Sequence, residues 1–239
     1  MGELLIFADS LIFARRLIQR GDSFMASDRS RERRRAVLAT FRRKGFAYVH
    51  VPKTGGFAMT RKLLDGIATE HATAAELREE LGPAEWSRLF SFAFVREPAA
   101  RFMSAFHYLK SGGMTAIDEE WARANLRGCA TAEQFLHRMV DSPDLADWVH
   151  FRSQRTFLCD GRGQILVQFV GRFERLSEDF AFAARRISLP DPALSVLNKT
   201  SYGRESLSEW TFESRAQFTQ FYRDDYSLFD YRPPWGPCS

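Results

Sequence analysis

The segment FAYVHVPKTGGFAMTRKLLDG (46–66) decides the fold, because a strand, a glycine loop and a helix follow one another in it without a break. Its first six residues, FAYVHV (46–51), form a short apolar run rich in β-forming residues, with Gly45 and Pro52 on either side. Such a run predicts a buried strand. Apolar residues then recur at helical spacing through FAMTRKLLDGIA (57–68), which predicts a helix directly after the loop.

The loop itself, Pro52-Lys53-Thr54-Gly55-Gly56, has the composition of an anion site. A helix N-terminus offers unpaired N–H groups and partial positive charge, and the glycines let the backbone approach an oxyanion closely. Lys53 adds a full charge, and Thr54 adds a hydroxyl and an N–H. An ordinary strand-to-helix turn with a surface lysine is the alternative. The loop is not a Walker A motif, because its lysine precedes the glycines.

A second strand, FSFAFV (90–95), ends at Arg96 and is followed by a helix with Pro98 in its first turn. Arg96 at the strand end and Ser104, about two helical turns further on, are suited to binding a phosphate group. Pairing of Arg96 with an acidic residue is the alternative. Together the two loops indicate a ligand with two separate phosphate groups.

Further elements follow the same alternation of strands and helices. ILVQFVGRF (165–173) is a third strand candidate that ends near Gly171. Thr73-x-x-Glu76 predicts a capped helix to about Leu81, and Ser206-x-x-Glu209 predicts one through about Tyr222. We therefore expect an α/β, three-layer, P-loop-like fold with a mainly parallel central sheet flanked by helices. Ligands in such sheets bind at the carboxyl ends of the strands, where both distinctive loops lie.

Charge is concentrated near the N-terminus of this 239-residue chain, whose net charge is +4. Eight of the residues in 29–44 are Arg or Lys, against a single Glu. Such a run forms a solvated face or a flexible arm, or else it binds a phosphate-rich partner or an anionic membrane. No nucleic-acid-binding motif accompanies it, so we expect no nucleic-acid partner. The three cysteines are widely spaced, which argues against a disulfide scaffold and a structural zinc site and favours a reducing, cytoplasmic compartment.

The first residues, MGELLIFADSLIFARRLIQRG (1–21), are apolar but interrupted by charges. They contain no run long enough for a transmembrane helix, and their acidic start is unlike a signal peptide. A helix docked against the domain is one interpretation, and peripheral membrane attachment or self-association through this segment is the other. We predict a helical, basic extension over residues 1–45 and one catalytic domain over residues 46–239.

At these motifs the sequence resembles the carbohydrate sulfotransferase superfamily, closest to the group of heparan 2-O-sulfotransferases and their bacterial relatives (the "sulfotransferase family 2" type). HVPKTGG (50–56) resembles the family's 5′-phosphosulfate loop, and FVREPAARFMSAF (94–106) resembles its 3′-phosphate motif. HFRSQRTFLCDG with VQFVGRFERLSEDF (150–180) and LNKTS (197–201) resemble later family segments. Two departures are Glu97, where the family has Asp or Asn, and Phe57-Ala58, where it commonly has small hydroxyl residues.

The resemblance implies a sulfotransferase that uses 3′-phosphoadenosine 5′-phosphosulfate (PAPS), releases 3′-phosphoadenosine 5′-phosphate (PAP), and acts on a hydroxylated acceptor such as a saccharide. Pro52, Lys53, Thr54, Gly55 and Gly56 would hold the 5′-phosphosulfate. The remaining nucleotide contacts that it implies come from Arg96, Ser104, Asn198, Lys199 and Ser201. No metal is required if cations and helix dipoles hold the charge.

Lys53 is the residue we expect to stabilise the leaving phosphate and the moving sulfuryl oxygens. An acceptor hydroxyl benefits from a general base, and a family catalytic histidine occupies a stretch similar to that of His71. We therefore predict His71 as the base, with a solvent-exposed histidine near a helix start as the alternative. His150, Gln154 and Arg155 are predicted to line the acceptor cleft, although a salt bridge from Arg155 to Glu174 or Asp179 is an equal possibility.

Two other functions are compatible with these motifs. A kinase-like, nucleotide-dependent phosphotransferase on a related P-loop fold would require magnesium and turn over ATP, and the missing Walker motif counts against it. A non-catalytic nucleotide- or glycan-binding protein would show no activity for a His71 substitution to change.

Overall fold

The computed structural model describes residues 28–194 and 207–236. The predicted N-terminal helix in residues 1–27, and the predicted nucleotide contacts Asn198, Lys199 and Ser201, lie outside the described residues.

Strands and helices alternate along the chain. The strands are β1 (Phe46–Val49), β2 (Phe90–Val95) and β3 (Phe169–Arg172). The α-helices are α1 (Asp28–Lys44), α2 (Gly56–Leu63), α3 (Ala74–Leu81), α4 (Pro83–Trp86), α5 (Pro98–Lys110), α6 (Ala116–Asn125), α7 (Ala132–Asp141), α8 (Gln154–Leu158), α9 (Leu176–Arg186), α10 (Phe212–Phe221) and α11 (Arg223–Leu228). Short 3₁₀ turns span Pro143–Asp147, Phe173–Arg175 and Leu207–Glu209.

The three strands form one parallel sheet in the order β1-β2-β3, which confirms the predicted α/β fold with a parallel sheet flanked by helices. Val49 of β1 aligns with Ala93 of β2, and Val95 of β2 aligns with Arg172 of β3. All three strands therefore end at the same edge. The segments that follow them meet at that edge, as ligand sites in parallel sheets require.

Aromatic residues fill one face of this sheet. The rings of Phe46 and Tyr48 lie 5.8 and 5.5 Å from that of Phe92, and Phe41 of α1 packs 5.4 Å from Phe46. Every residue of β1 is buried, so the sheet is covered on its other face as well. Burial on both sides is what an apolar, non-alternating strand sequence predicts.

The third strand begins later than the sequence predicts, at Phe169 instead of Ile165. The main chain of Leu166 is already engaged elsewhere: its N–H donates to Leu158, and its carbonyl accepts from the indole of Trp86. Pairing with β2 therefore starts only near Gln168, whose N–H donates to the Ser91 carbonyl at 2.9 Å.

The basic run folds as the helix α1 and is not a flexible arm over the described residues. Its apolar side, including Val37, Leu38 and Phe41, lies in the main core. On its outer side, Arg34 pairs with Glu80 and Arg42 with Glu85. These pairs support the solvated-face interpretation, because part of the positive charge is neutralised by α3 and α4.

Helix starts follow the capping chemistry in one of the two predicted cases. Thr73 and Glu76 form the reciprocal capping box of α3, as predicted. Ser206 lies outside the described residues, but the helix start predicted there is wrong, because residues 207–209 form a 3₁₀ turn and α10 begins at Phe212. Thr211 supplies the cap instead by accepting from the Ser214 N–H, so a better-placed hydroxyl competes for the helix start.

None of the helices in residues 28–194 and 207–236 has the length and apolar character that crossing a membrane requires.

Candidate functional site

The loop after β1 turns sharply into α2 through two residues with left-handed backbones. Lys53 has φ 69° and Gly55 has φ 88°. A left-handed conformation is unfavourable for a residue with a side chain, and it persists at sites where the surroundings impose it. Thr54 is fully buried, and its hydroxyl donates to the Val51 carbonyl at 2.8 Å, which ties the turn back to the strand.

The turn leaves a group of backbone N–H donors unbonded. Within the described residues, no hydrogen bond takes the N–H of Thr54, Gly55, Gly56 or Phe57, and no side chain caps α2. No acidic residue lies in the first turn of α2 either. A helix start with unpaired donors and no competing carboxylate is suited to binding an anion.

Gly56 has no room for a side chain. A Cβ added there would lie 1.6 Å from Nε2 of His50, the residue that follows β1. The His50 ring is held in this position by a hydrogen bond between its Nδ1 and the Thr69 hydroxyl. Gly56 therefore permits close contact between this ring and residues 52–56, which we call the anion loop. The tertiary contact explains why a glycine is needed at this position.

Arg96, at the end of β2, reaches the anion loop directly. Its guanidinium donates to the carbonyl oxygen of Lys53 at 3.3 Å and lies 4.3 Å from the centre of the Phe173 ring. The two predicted phosphate-binding loops are thus in contact. They meet at the carboxyl edge of the sheet.

The Lys53 amine has no carboxylate ion-pair partner among the described residues. It sits 3.7 Å from the centre of the Tyr108 ring, which makes a cation–π contact. Burial and the charge of Arg96 lower the pKa of Lys53 to about 8, although Asp118 acts in the opposite direction. A cation whose charge is disfavoured by burial and by a second cation gains stability when an anion binds.

Gln154 fixes the main chain of Arg96. Its amide accepts from the Arg96 N–H and donates to the Arg96 carbonyl, both at 2.8 Å. Gln154 is fully buried, and its own N–H donates to the buried carboxylate of Asp225. The Gln154 side chain therefore holds the main chain of Arg96 in place. By fixing that main chain, it fixes the point from which the Arg96 side chain extends.

Helix α5 carries the other predicted phosphate ligand, Ser104, as a buried residue with 4% exposure. Its start is capped by Glu97, whose carboxylate accepts from the N–H groups of Ala99 and Ala100. Tyr226 donates a further hydrogen bond to Glu97. The larger Glu at this position thus performs the capping that an Asp or Asn would perform.

Three histidines pack together beside the anion loop, and we call His50, His71 and His150 the histidine cluster. The ring of His71 lies 4.2 Å from that of His50 and 5.9 Å from that of His150. His71 also has a left-handed backbone, with φ 55°. Within residues 28–194 and 207–236, no group of three or more His, Cys, Asp or Glu side chains is arranged to hold a metal ion.

The tautomer of His71 follows from its hydrogen bond. Its Nδ1 lies 3.0 Å from the His50 carbonyl oxygen, which can only accept, so Nδ1 carries the proton and Nε2 has the lone pair. Burial and the neighbouring His150 lower the pKa of His71 to about 4. The ring is therefore neutral at physiological pH, with Nε2 able to accept a proton.

His150 is buried on the far side of the cluster and is bonded to a carboxylate. Its Nε2 lies 3.0 Å from Oδ1 of Asp118, and Oδ2 of Asp118 accepts from the Tyr108 hydroxyl at 2.8 Å. Arg101 is fully buried and donates to the His150 carbonyl. This arrangement joins the histidine cluster to the ring beneath Lys53.

Arg155 lies in the first turn of α8, where its N–H donates to Oδ1 of Asp225 at 2.9 Å and its guanidinium lies 4.0 Å from the carboxylate of Asp224. The alternative interpretation, a salt bridge from Arg155 to Glu174 or Asp179, is therefore wrong. Glu174 instead accepts from the Glu97 N–H, and Asp179 accepts from the Arg172 N–H.

Several site residues were missed by the sequence interpretation, chiefly Tyr108, Asp118, Phe173 and Asp225. One local signal was available, since Thr115 and Asp118 have helix-start spacing and the Thr115 hydroxyl accepts from the Asp118 N–H. That signal indicates only where α6 begins. It gives no indication that the carboxylate contacts His150.

A family model described as "Sulfotransferase family" matches residues 38–232, which is more than half of the chain. In the same comparisons, no curated protein and no solved structure matches it.

We expect Gly56→Ala to lower the free energy of unfolding by about 1–3 kcal/mol, because its methyl group overlaps the pinned His50 ring. Gly161→Ala is the matched control, since a Cβ there meets open space. Thermal denaturation of both variants measures the difference. Equal melting temperatures would show that the loop and His50 do not have the contact described above.

Proposed function

The chain belongs to the sulfotransferase family, and from this premise we propose that it transfers a sulfuryl group from PAPS to a hydroxyl of a carbohydrate acceptor. The family match supports assignment of the chain as a transferase. We add to this the donor, the acceptor and the roles of individual residues.

One observation supports the donor assignment: the guanidinium of Arg96 donates a hydrogen bond to the carbonyl of Lys53, so two cationic loops are in direct contact. One loop has unbonded backbone N–H groups and an amine, which suit a phosphosulfate. The other has Arg96, and the helix α5 that follows it carries the buried serine Ser104; an arginine and a hydroxyl suit a phosphate. A nucleotide with charged groups on both its 5′ and 3′ positions is complementary to this pair.

These residues fit that donor, because no carboxylate of the described residues has to move away from Lys53 before the donor binds. We propose that Pro52, Lys53, Thr54, Gly55 and Gly56 bind the 5′-phosphosulfate. Arg96 and Ser104 bind the 3′-phosphate. Asn198, Lys199 and Ser201 remain proposed nucleotide contacts from the family resemblance.

The proposed reaction is an in-line transfer at sulfur. The acceptor oxygen forms a bond to sulfur, the bond from sulfur to the 5′-phosphate oxygen breaks, and PAP leaves with that electron pair. The acceptor proton goes to a base. Lys53 and the helix start of α2 stabilise the negative charge that grows on the leaving phosphate.

His71 is the base that we propose for the acceptor proton. The bond from its Nδ1 to the His50 carbonyl leaves Nε2 unprotonated, which is the form that accepts a proton. His71 contacts both of the other clustered histidines, and the cluster adjoins Gly56 through His50. An attacking hydroxyl would need its base beside the loop that we propose to bind the 5′-phosphosulfate, and His71 lies there.

For the acceptor side we propose His150 and Arg155, with Gln154 acting through the Arg96 main chain that it holds. Arg155 has 40% of its side chain exposed, so it can meet an anionic sugar. A carbohydrate acceptor is the class that the resemblance to heparan 2-O-sulfotransferases implies.

Calorimetry with PAP tests the donor assignment. We expect Lys53→Ala and Arg96→Ala each to weaken PAP binding about 10- to 100-fold, because each removes a charge-assisted contact. Lys62→Ala is the control, since Lys62 pairs with Asp191 away from the loop. Binding of ATP in preference to PAP would instead support a phosphotransferase.

The pH dependence of PAP binding tests the role of the Lys53 amine. Its pKa of about 8 lies below the ordinary value, so its charge is present below pH 8 and is lost as the pH rises through 8. PAP affinity of the wild type should fall over that range. Lys53→Arg, which stays charged, should remove most of the decline. An equal decline in both proteins would exclude the amine as its cause.

Steady-state kinetics with PAPS and a panel of saccharides test the base. We expect His71→Gln to lower kcat about 10²- to 10⁴-fold while PAP affinity changes less than about threefold. His137→Gln serves as the control, because His137 shares a hydrogen bond with the Ser214 hydroxyl in the described structure and belongs to no proposed site. Wild-type kcat in His71→Gln would assign the proton transfer to another group.

A further inference from the structure

We propose that Asp118 is a positioning residue that orients both the Tyr108 ring beneath Lys53 and the His150 ring of the histidine cluster. The inference rests on the proposed function, in which Lys53 serves the donor and the histidine cluster serves the acceptor. A single carboxylate would then set the geometry of both sides of the transfer.

Asp118 has more hydrogen bonds than a residue needed only to start α6. Its Oδ2 accepts from the Tyr108 hydroxyl at 2.8 Å and from the Thr115 hydroxyl at 2.9 Å, and its Oδ1 lies 3.0 Å from Nε2 of His150. Its exposure is 6%. Burial acts to raise the pKa of Asp118, but these hydrogen bonds outweigh it and hold the pKa well below its usual range.

The bond to Asp118 determines the tautomer of His150. An ionised carboxylate can only accept, so Nε2 of His150 carries the proton and Nδ1 is left with the lone pair. Nδ1 is buried and has no partner among the described residues. Arg101 holds the main chain of the same residue by donating to its carbonyl at 3.1 Å. The His150 ring is therefore held at Nε2 by Asp118, and the lone pair on Nδ1 stays available within the cluster.

On the other side, Asp118 fixes Tyr108. The Tyr108 hydroxyl donates to Asp118 and accepts from the Met114 N–H at 2.9 Å, so both of its roles are taken. The ring, held in this way, lies 3.7 Å from the Lys53 amine and 5.0 Å from the His150 ring. Tyr108 thus lies between the donor-side cation and the histidines.

The turn before α6 is shaped to admit this carboxylate. A Cβ on Gly113 would lie 2.3 Å from the Cβ of Asp118, and Gly113 has φ 68°. The turn can pass over Asp118 only without a side chain at this position. Loss of the Asp118 carboxylate should therefore slow the chemical step without removing any group that we propose to bind PAP.

The first experiment observes the tautomer without any turnover. Long-range ¹H–¹⁵N NMR of the wild-type full chain should show His150 protonated on Nε2 and unprotonated on Nδ1 at neutral pH. In Asp118→Asn the amide can turn its NH₂ toward the ring, so the Nδ1–H tautomer should become populated. A wild-type His150 protonated on Nδ1 overturns the proposal, whether or not the variant folds.

The second experiment separates the two arms by kinetics. We expect Asp118→Asn to lower kcat about 10- to 100-fold, and Tyr108→Phe, which keeps the ring, to lower it about three- to tenfold. Glu119→Gln is the matched control on the same helix, because Glu119 is exposed and pairs only with Arg123 in the described structure. Its kcat should stay within twofold of the wild type.

PAP affinity distinguishes failure of this inference from failure of the proposed function. If PAP binds and Asp118→Asn has wild-type kcat and a wild-type His150 tautomer, the positioning role is wrong and the sulfotransferase stands. If PAP does not bind the wild type, the proposed function fails, and the NMR result still decides whether Asp118 orients His150.

Discussion

The parallel pairing of β1 with β2 is the constraint on which the rest of the site depends. Because both strands run in the same direction and in register, the loop after Val49 and the arginine after Val95 arrive at one edge of the sheet. The contact between the Arg96 guanidinium and the Lys53 carbonyl is the direct result. An antiparallel arrangement of the same two strands would place these groups at opposite edges.

Burial of the Lys53 amine, together with the nearby charge of Arg96, has an electrostatic cost that appears as the lowered pKa of Lys53. The protein offsets that cost with π faces and backbone carbonyls: Lys53 lies over Tyr108, and Arg96 lies over Phe173. Aromatic faces attract a cation without neutralising it. These cations are organised in advance for a polyanion, since no carboxylate of the described residues must leave the Lys53 amine before the polyanion binds.

The imidazoles of the histidine cluster lie close to Lys53 and Arg96 but are kept neutral. Burial lowers the pKa of His50, His71 and His150, so that three imidazoles next to two cations do not add further positive charge. The carboxylate of Asp118 lies beside this cluster and takes part in three side-chain hydrogen bonds. The imidazoles are therefore largely uncharged, and the positive charge of this region lies on Lys53 and Arg96.

What the sequence by itself determined is local. Residues 46–66 specify a strand, a turn and a helix start through periodicity and glycine placement, and these signals act over a few residues, so the loop and the parallel sheet could be predicted. Long-range packing decided the rest. Gln154 turns its amide toward the main chain of Arg96, and Asp118 meets His150 across 32 residues, because the folded core brings together segments whose spacing has no periodic signature. No local pattern carries that information, since side-chain partners distant in the chain are chosen by the packing of whole elements.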